Sequence, residues 1–578
     1  MAAGPPPSAS SALPPREIAQ RLRQAGAMLR LQGASRYRAG AYELAAEVVE
    51  ASAETLPRLV ADDRLTELRG IGPSLAVTIS DLARTGRSPT LDGILGDLPP
   101  GLLAMSRVPG LTLRRLRALH ETLGIASRSE LQQALAVGAV TSVKGFGPVL
   151  AAKLRDALAR PEPELPEGRG ERRVLADVLD EAERLIARLR RAPGTIALES
   201  AGSVRRWVET VGDLNLVAAS VRAESLLDAL AHDVTAAVVE ERTPGFCRVR
   251  RVDGLRVTLS VETPDRFARA LMVGTGSAAH LQRLEIRARA RGLTLPTLTG
   301  TTEAGLYDQL GLPYIPPELR EDAGEIEAAD AGDDFADLIT AQDIRGMVHC
   351  HSVHSDGKHT IAQMAAAAAA MGMAYITITD HSSSASYAGG LSEEGLRAQG
   401  SEIVEARQAA GIAILRGTES DILKDGRLDF SDDVLRGLDI VIASVHERHK
   451  LAPGEMTERI VRAMEHPVFK IWGHALGRLL LRREPIACDV DRILASVARS
   501  RAAIEVNGSP WRLDLPPEWI RPARRHGIKF VISVDAHSTA ELSHNLRFGV
   551  ATARRGGLRR GDVLNTLEAG AFADAVRP

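Results

Sequence analysis

The sequence predicts a multidomain chain: an all-α N-terminal region, an α+β middle and a C-terminal α/β domain. Three observations carry this. From residue 16 to 160 apolar positions recur at helical spacing, and the breaks hold Gly and Pro. Residues 170 to 320 mix helical and strand patterns. After about 343, short β-rich runs alternate with helical stretches. The candidate strands are 375–380, 413–419, 440–446, 468–474, 502–507 and 529–535, which implies a parallel sheet or an α/β barrel. A length of 578 residues has room for three or four such domains.

Composition is that of an ordinary globular protein, 44% hydrophobic and 25% charged. The net charge of −2 hides an asymmetry. Residues 1–160 carry 20 Lys and Arg against 14 Asp and Glu, and the remainder is acidic, a weak pointer to nucleic acid at the N-terminal end. Cys247, Cys350 and Cys488 lie far apart without a CxxC, which fits a reducing, cytoplasmic setting. The Pro/Ala/Ser-rich start reads as a disordered tail and not as a signal peptide. The uncharged run Thr360–Thr379 reads as a buried helix followed by a strand, so no membrane partner is expected.

The chemistry is concentrated where the C-terminal strands end. His349 and His351 alternate as on one face of a strand, and Asp356 follows in a Ser-Asp-Gly turn. The runs after them end at His381, Glu419, His446, His474 and Asp535, with His537 just beyond. In α/β barrels these strand ends and their loops build the site. Imidazoles with bridging carboxylates suit zinc, manganese or iron, and neighbouring ions can clamp a phosphate and activate water. His354, His359 and His449 fall outside the pattern.

The motifs His349-Cys350-His351, Ser355-Asp356-Gly357, Thr379-Asp380-His381, Gly417-Thr418-Glu419, Ser444-Val445-His446, Gly473-His474 and Asp535-Ala536-His537 resemble those of the polymerase-and-histidinol-phosphatase (PHP) family. The resemblance implies a distorted (βα)7 barrel with three divalent metal ions. One would take His349, His351, Glu419 and Asp535; a second Glu419, His446 and His474; a third Asp356, His381 and His537. Glu419, His446 and Asp535 would be the catalytic centre of that set. Met347 departs from the family's usual Asp at a position that is not a ligand. Arg478 and Arg512, just past strand ends, are candidates to hold a substrate phosphate.

Three glycine turns, at Gly70 and Gly72, at Gly110, and at Gly145 and Gly147, each open a helical stretch carrying Arg or Lys. Such turns present backbone N–H groups to phosphate, and these resemble helix-hairpin-helix motifs that grip the DNA backbone. Gly202-Ser203-Val204-Arg205-Arg206, followed by Gly212-Asp213-Leu214-Asn215, resembles the palm of family X DNA polymerases, and 310–321 resembles the thumb end that joins a PHP domain in bacterial members. Gly202, Ser203, Arg205 and Arg206 are then candidate phosphate binders. Polymerase chemistry needs three carboxylates around two Mg²⁺ or Mn²⁺ ions. Asp213 supplies the first, but Asn215 and Thr258 stand at the other two positions, with Asp253 and Glu262 nearby. Val273-Gly274 and Leu281 replace further family residues, so the palm reads as a degenerate scaffold or DNA clamp that takes Mg or Mn only if residual activity exists. Residues 1–143 contain no lysine, which argues against a Schiff-base lyase there.

The resemblance divides the chain into a tail at 1–15, a helical domain at 16–90, a fingers-like region at 91–165, a palm at 166–263, a thumb at 264–320, an acidic linker at 321–342 and the PHP domain at 343–578. The expected function is a monomeric DNA-repair nuclease acting at 3′ ends of gapped, nicked or 3′-recessed DNA. The alternatives are a Mn-dependent gap-filling polymerase with 3′→5′ exonuclease, a non-catalytic DNA-end scaffold, and a small-molecule phosphatase.

Overall fold

The β-rich runs after residue 343 form seven parallel strands: β1 (Gly346–Cys350), β2 (Tyr375–Ile378), β3 (Ala413–Asp421), β4 (Ile440–Ser444), β5 (Lys470–Trp472), β6 (Ala502–Asn507) and β7 (Phe530–Ser533). Each pairs with its sequence neighbour. Closure comes from Val534 N donating to Val348 O (3.0 Å) and His351 N to Ala536 O (2.9 Å). The result is a nearly closed seven-stranded parallel barrel, consistent with the expected distorted (βα)7 barrel. In this computed structural model the described residues are 13–31, 36–52, 56–68, 71–95, 111, 113–125, 128–143, 146–147, 150–151, 154–155, 172–233, 235–251, 254–447 and 451–578.

Strands such as Ile440–Ser444 are buried along their whole length, as continuous apolar strands covered on both faces must be. The run at 360–379 resolves as expected. Thr360 caps the helix Ile361–Ala370 in a capping box with Gln363, and β2 follows. Among the described residues no helix is long and apolar enough to cross a membrane. The helix Ala569–Val576 buries Phe572 and Val576 against Val348, Tyr375, Ile471 and Val531. Phe572 stacks on Tyr375 at 4.8 Å, and burying such a ring contributes roughly 1.5–3 kcal/mol.

The barrel belongs to a compact unit formed by 172–226 and 259–578. Its palm portion pairs Thr195–Ala201 antiparallel with Asp213–Ser220, setting Ala201 opposite Asn215. Its thumb helices include Pro264–Thr275, Ala278–Ala290 and Glu303–Gln309. The expected linker at 321–342 is corrected here. It contains the helix Glu325–Asp330, and Ile326, Ala329, Phe335 and Leu338 are buried in the thumb core. Its acidity misled because Glu325 is buried, 2.6 Å from His280 Nδ1.

The second unit comprises the chain before 172 together with 227–258. Helices Pro15–Leu31 and Arg36–Ala51 pack through Ile18, Leu22, Leu29, Tyr42 and Val49. A second helical cluster gathers around Leu119, Leu131, Phe146 and Leu154. The hairpin of Ala236–Thr243 and Phe246–Arg251 also belongs to this unit. Residues 1–12 of the expected tail lie outside the described residues, and Pro15 opens the first helix.

Candidate metal centre

All nine residues expected as ligands gather at the C-terminal ends of the strands, and Glu419 is their hub. His474 Nε2 lies 2.8 Å and His446 Nε2 3.3 Å from Glu419 Oε1. On its other oxygen, His381 Nδ1 lies at 2.9 Å, His349 Nε2 at 3.4 Å and His351 Nε2 at 3.8 Å. Asp535 Oδ1 stands 3.7 Å from His351 and 3.9 Å from His349. Asp356 faces His381, His351 and His537 at 3.6, 3.7 and 3.3 Å. Three groups have the spacing to hold an ion: His351, Asp356, His381 and His537; His349, His351 and Asp535; His381, Glu419 and His446. His351 and His381 each fall in two groups, a more shared arrangement than the one expected from the sequence.

The backbone is bent to present these side chains. His349 has φ +67°, and the β1–β2 register shifts between Met347 and Cys350. The strand is therefore irregular at His349, where simple alternation was expected. His474 (φ +24°) and Asp535 (φ +43°) are also left-handed, at a cost of order 1–3 kcal/mol each. Two glycines make the crowding possible. A Cβ on Gly357 would lie 2.6 Å from the His351 carbonyl, and one on Gly473 would lie 2.3 Å from Ser444 Oγ.

His349 Nε2, both ring nitrogens of His351, His381 Nδ1, His474 Nδ1 and Glu419 Oε1 are buried with no hydrogen-bond partner of proper geometry. Stranding so many donors and acceptors is costly unless cations complete them. Burial opposes charge on His381 and His446, yet Glu419 and neighbouring carboxylates push them up to about 10 and about 9. Burial and the surrounding imidazoles push His351 the opposite way. This donor set fits divalent ions.

Sequence reasoning missed the residues that orient the ligands. Glu505, on the one candidate strand given no ligand, holds His349 Nδ1 at 2.5 Å and accepts from the His474 backbone N–H. Asp421 holds His446 Nδ1 at 2.5 Å, and Asn507 Nδ2 donates to Asp535 at 3.0 Å. Such partners fix imidazole tautomer and orientation. Their signal was available, because strand alternation from Glu419 and Asn507 reaches Asp421 and Glu505. His354 stays apart, paired with Glu402 at 2.7 Å, and His359 accepts from Thr539 N–H; His449 lies outside the described residues.

Arg512 sits where expected, its Nε 3.3 Å from Asp535 and its buried Nη1 without a hydrogen-bond partner. Arg478 does not, and its expected phosphate role is corrected. Its Nη2 pairs with Glu209 at 2.7 Å, Nε donates to Arg512 O at 2.9 Å, and Nη2 also meets Leu513 O. Its Nε and Nη2 are engaged by protein because the loop after His474 folds onto the Arg512 loop. Trp207 beside this contact meets Phe548 edge-on at 5.5 Å.

Arg205 and Arg206 are corrected in the same way. Arg205 binds Glu303 bidentately at 2.6 and 2.9 Å, and Arg206 pairs with Glu321 at 2.8 Å and donates to Thr275 O at 2.6 Å. Both arginines thus tie the palm turn to thumb carboxylates. Gly202 has φ +59°, with Asn215 Nδ2 3.1 Å from where its Cβ would stand, and Ser203 follows it in the short helix Gly202–Arg205. Asp213 opens its strand half-buried, and Thr258 is half-buried on the strand Arg256–Glu262. Gly72 caps the helix Pro73–Thr85, and Gly147 O accepts from Ala151 N at 3.0 Å. Gly70, Gly110, Gly145 and Asp253 lie outside the described residues.

Three protein families match the chain: the PHP domain at residues 348–509, the helix-hairpin-helix domain at 14–88 and the DNA polymerase beta thumb at 270–321. The DNA polymerase/3'-5' exonuclease PolX of Bacillus subtilis (strain 168) is 31% identical, covering 95% of this chain and 97% of its own length. A probable phosphatase of Caldicellulosiruptor bescii is 26% identical over 34% of this chain and 80% of its own length. A probable phosphatase of Caldanaerobacter subterraneus subsp. tengcongensis is 29% identical over 33% and 74%. With matching order of helix-hairpin-helix, thumb and metal-hydrolase barrel along nearly its whole length, the chain belongs to the PolX family of family X DNA polymerases that carry a C-terminal PHP domain.

Proposed function

We propose that the protein is a DNA-repair hydrolase whose barrel cleaves phosphodiesters at 3′ ends of gapped, nicked or 3′-recessed DNA, and whose palm has weak or no polymerase activity. The observation that carries it is the buried cluster around Glu419, in which six ligand atoms lack hydrogen-bond partners. Divalent ions, of manganese, zinc or iron, would supply a Lewis acid for the phosphate and a water activated near neutral pH. Glu419 links the histidine groups, while Asp535 and Asp356 flank it. Glu505 and Asp421 orient His349 and His446. Arg512, with a free buried N–H beside Asp535, is placed to hold a phosphate oxygen. The N-terminal helix-hairpin-helix region is read as the DNA-backbone grip, and the protein as a cytoplasmic monomer.

The second reading is a gap-filling polymerase. The name of the Bacillus subtilis relative and the retained Asp213 favour it. Against it stand Asn215, a neutral and weaker ligand for a hard cation, and Thr258, which cannot serve as a carboxylate. One experiment separates them: a 5′-labelled primer on gapped DNA with Mn²⁺, with and without dNTPs, using wild type and His349→Ala. Shortening that His349→Ala abolishes, with no extension, is the expected result. Extension by both proteins would refute the retired palm. No shortening by the wild type would refute the nuclease.

A further inference from the structure

An aromatic ring stands largely exposed at the mouth of the metal centre. Tyr387 lies in the turn Ser386–Ala388, six residues after His381, and is 70% exposed. Of the tyrosines whose exposure is described, the next most exposed is Tyr314 at 37%, while Tyr42, Tyr307 and Tyr375 are buried. The Tyr387 ring centroid is 6.3 Å from that of His381 and 6.2 Å from that of His446. The turn beneath it is firmly held. Ser384 N–H and Ser383 Oγ donate to Asp429 at 2.7 and 3.0 Å, Leu391 N–H donates to His381 O at 2.8 Å, and Ala388 and Leu391 are buried. A rigid support thus presents an apolar face to solvent beside two metal-type ligands.

An enzyme that removes nucleotides must bring the scissile phosphate to those ligands. The base of that nucleotide then lies a few ångströms away, across the sugar. Every base has a π-face, so stacking holds a terminal nucleotide whatever its sequence, as an exonuclease requires. We propose that Tyr387 is the stacking platform for the 3′-terminal base, positioning that nucleotide so that its phosphodiester lies at the metal centre. This rests on the DNA-hydrolase reading above. The hydroxyl has no part in it; the ring face does the positioning.

The test uses full-length protein with Mn²⁺ on single-stranded oligonucleotides whose 3′-terminal nucleotide is either normal or a tetrahydrofuran abasic analogue. Tyr387→Ala is expected to lower kcat/KM about 5- to 150-fold on the normal end, mostly through KM. Tyr387→Phe should match the wild type. On the abasic end, where there is no base to stack, Tyr387→Ala and wild type should be equal. Equal losses on both ends, a Tyr387→Phe defect as large as that of Tyr387→Ala, or no loss at all would overturn the proposal while leaving the hydrolase reading intact. A wild type inactive on both ends would overturn both.

Discussion

Arg478 discriminates between two mechanical pictures of the site. As a phosphate clamp it would be free to meet DNA; instead Glu209 and the carbonyls of Arg512 and Leu513 engage it. It therefore staples the His474 loop to the loop that carries Arg512. The perturbation is a cycle of Glu209→Ala, Arg478→Ala and the double variant. A hydrogen bond between charged groups contributes about 1.5–3 kcal/mol. The Glu209 side chain is 19% exposed, so the lower end applies: if that strength is passed on to Arg512, Glu209→Ala should cost about tenfold in kcat/KM. Arg478→Ala, which also loses the two carbonyl contacts, should cost more, about 10- to 100-fold. The double variant should be no worse than Arg478→Ala alone, because both changes break one unit. The assay is Mn²⁺-dependent shortening of a labelled 3′ end, with melting temperatures recorded in parallel. If Glu209→Ala leaves or raises activity while Arg478→Ala raises KM for DNA, Arg478 is a clamp released by losing its partner, and the staple is refuted.

Two further outcomes are expected. Restoring carboxylates with Asn215→Asp and Thr258→Asp together should raise primer extension if ligands alone are missing; unchanged extension by the double variant would mean the palm is degraded more broadly. Burial, with Arg501 nearby, pulls the Lys470 ammonium down to about 8 from its usual 10.5. Between those values the unfolded chain binds more protons than the fold, so stability rises with pH across that window. Lys470→Met should raise the melting midpoint at pH 7 and flatten the rise from pH 8 to 10.5; a lower midpoint with the slope retained would show the ammonium to be well paired.

The barrel and the cluster of histidines and carboxylates at its rim were legible because the chemistry is local to each strand end. A run such as Ile440–Ser444 followed by His446 declares both a buried strand and the residue it delivers. The orienting residues were less legible, since Glu505 and Asp421 lie within strands and the histidines they hold, His349 and His446, are delivered by other strands. Charges misled wherever tertiary pairing decided their fate. Arg205, Arg206 and Arg478 look like phosphate binders in sequence, but Glu303, Glu321 and Glu209, distant along the chain, claim them. The acidic stretch after residue 320 looks like a spacer, yet one buried histidine and four apolar side chains anchor it. No residue type announces the irregular backbone at His349.

Closure of the barrel carries a consequence for when the candidate metal centre is complete. His349 and His351 come from the first strand and the residue after it, while Asp535 follows the last, and they meet only when Val534 and Ala536 hydrogen-bond to the first strand. Nearly two hundred residues separate these partners, so bringing them together carries a long-range loop-closure cost. A domain whose first and last strands have not met lacks the group of His349, His351 and Asp535. The seam between first and last strands thus acts as a safety catch, making one of the three candidate ion sites conditional on a finished fold.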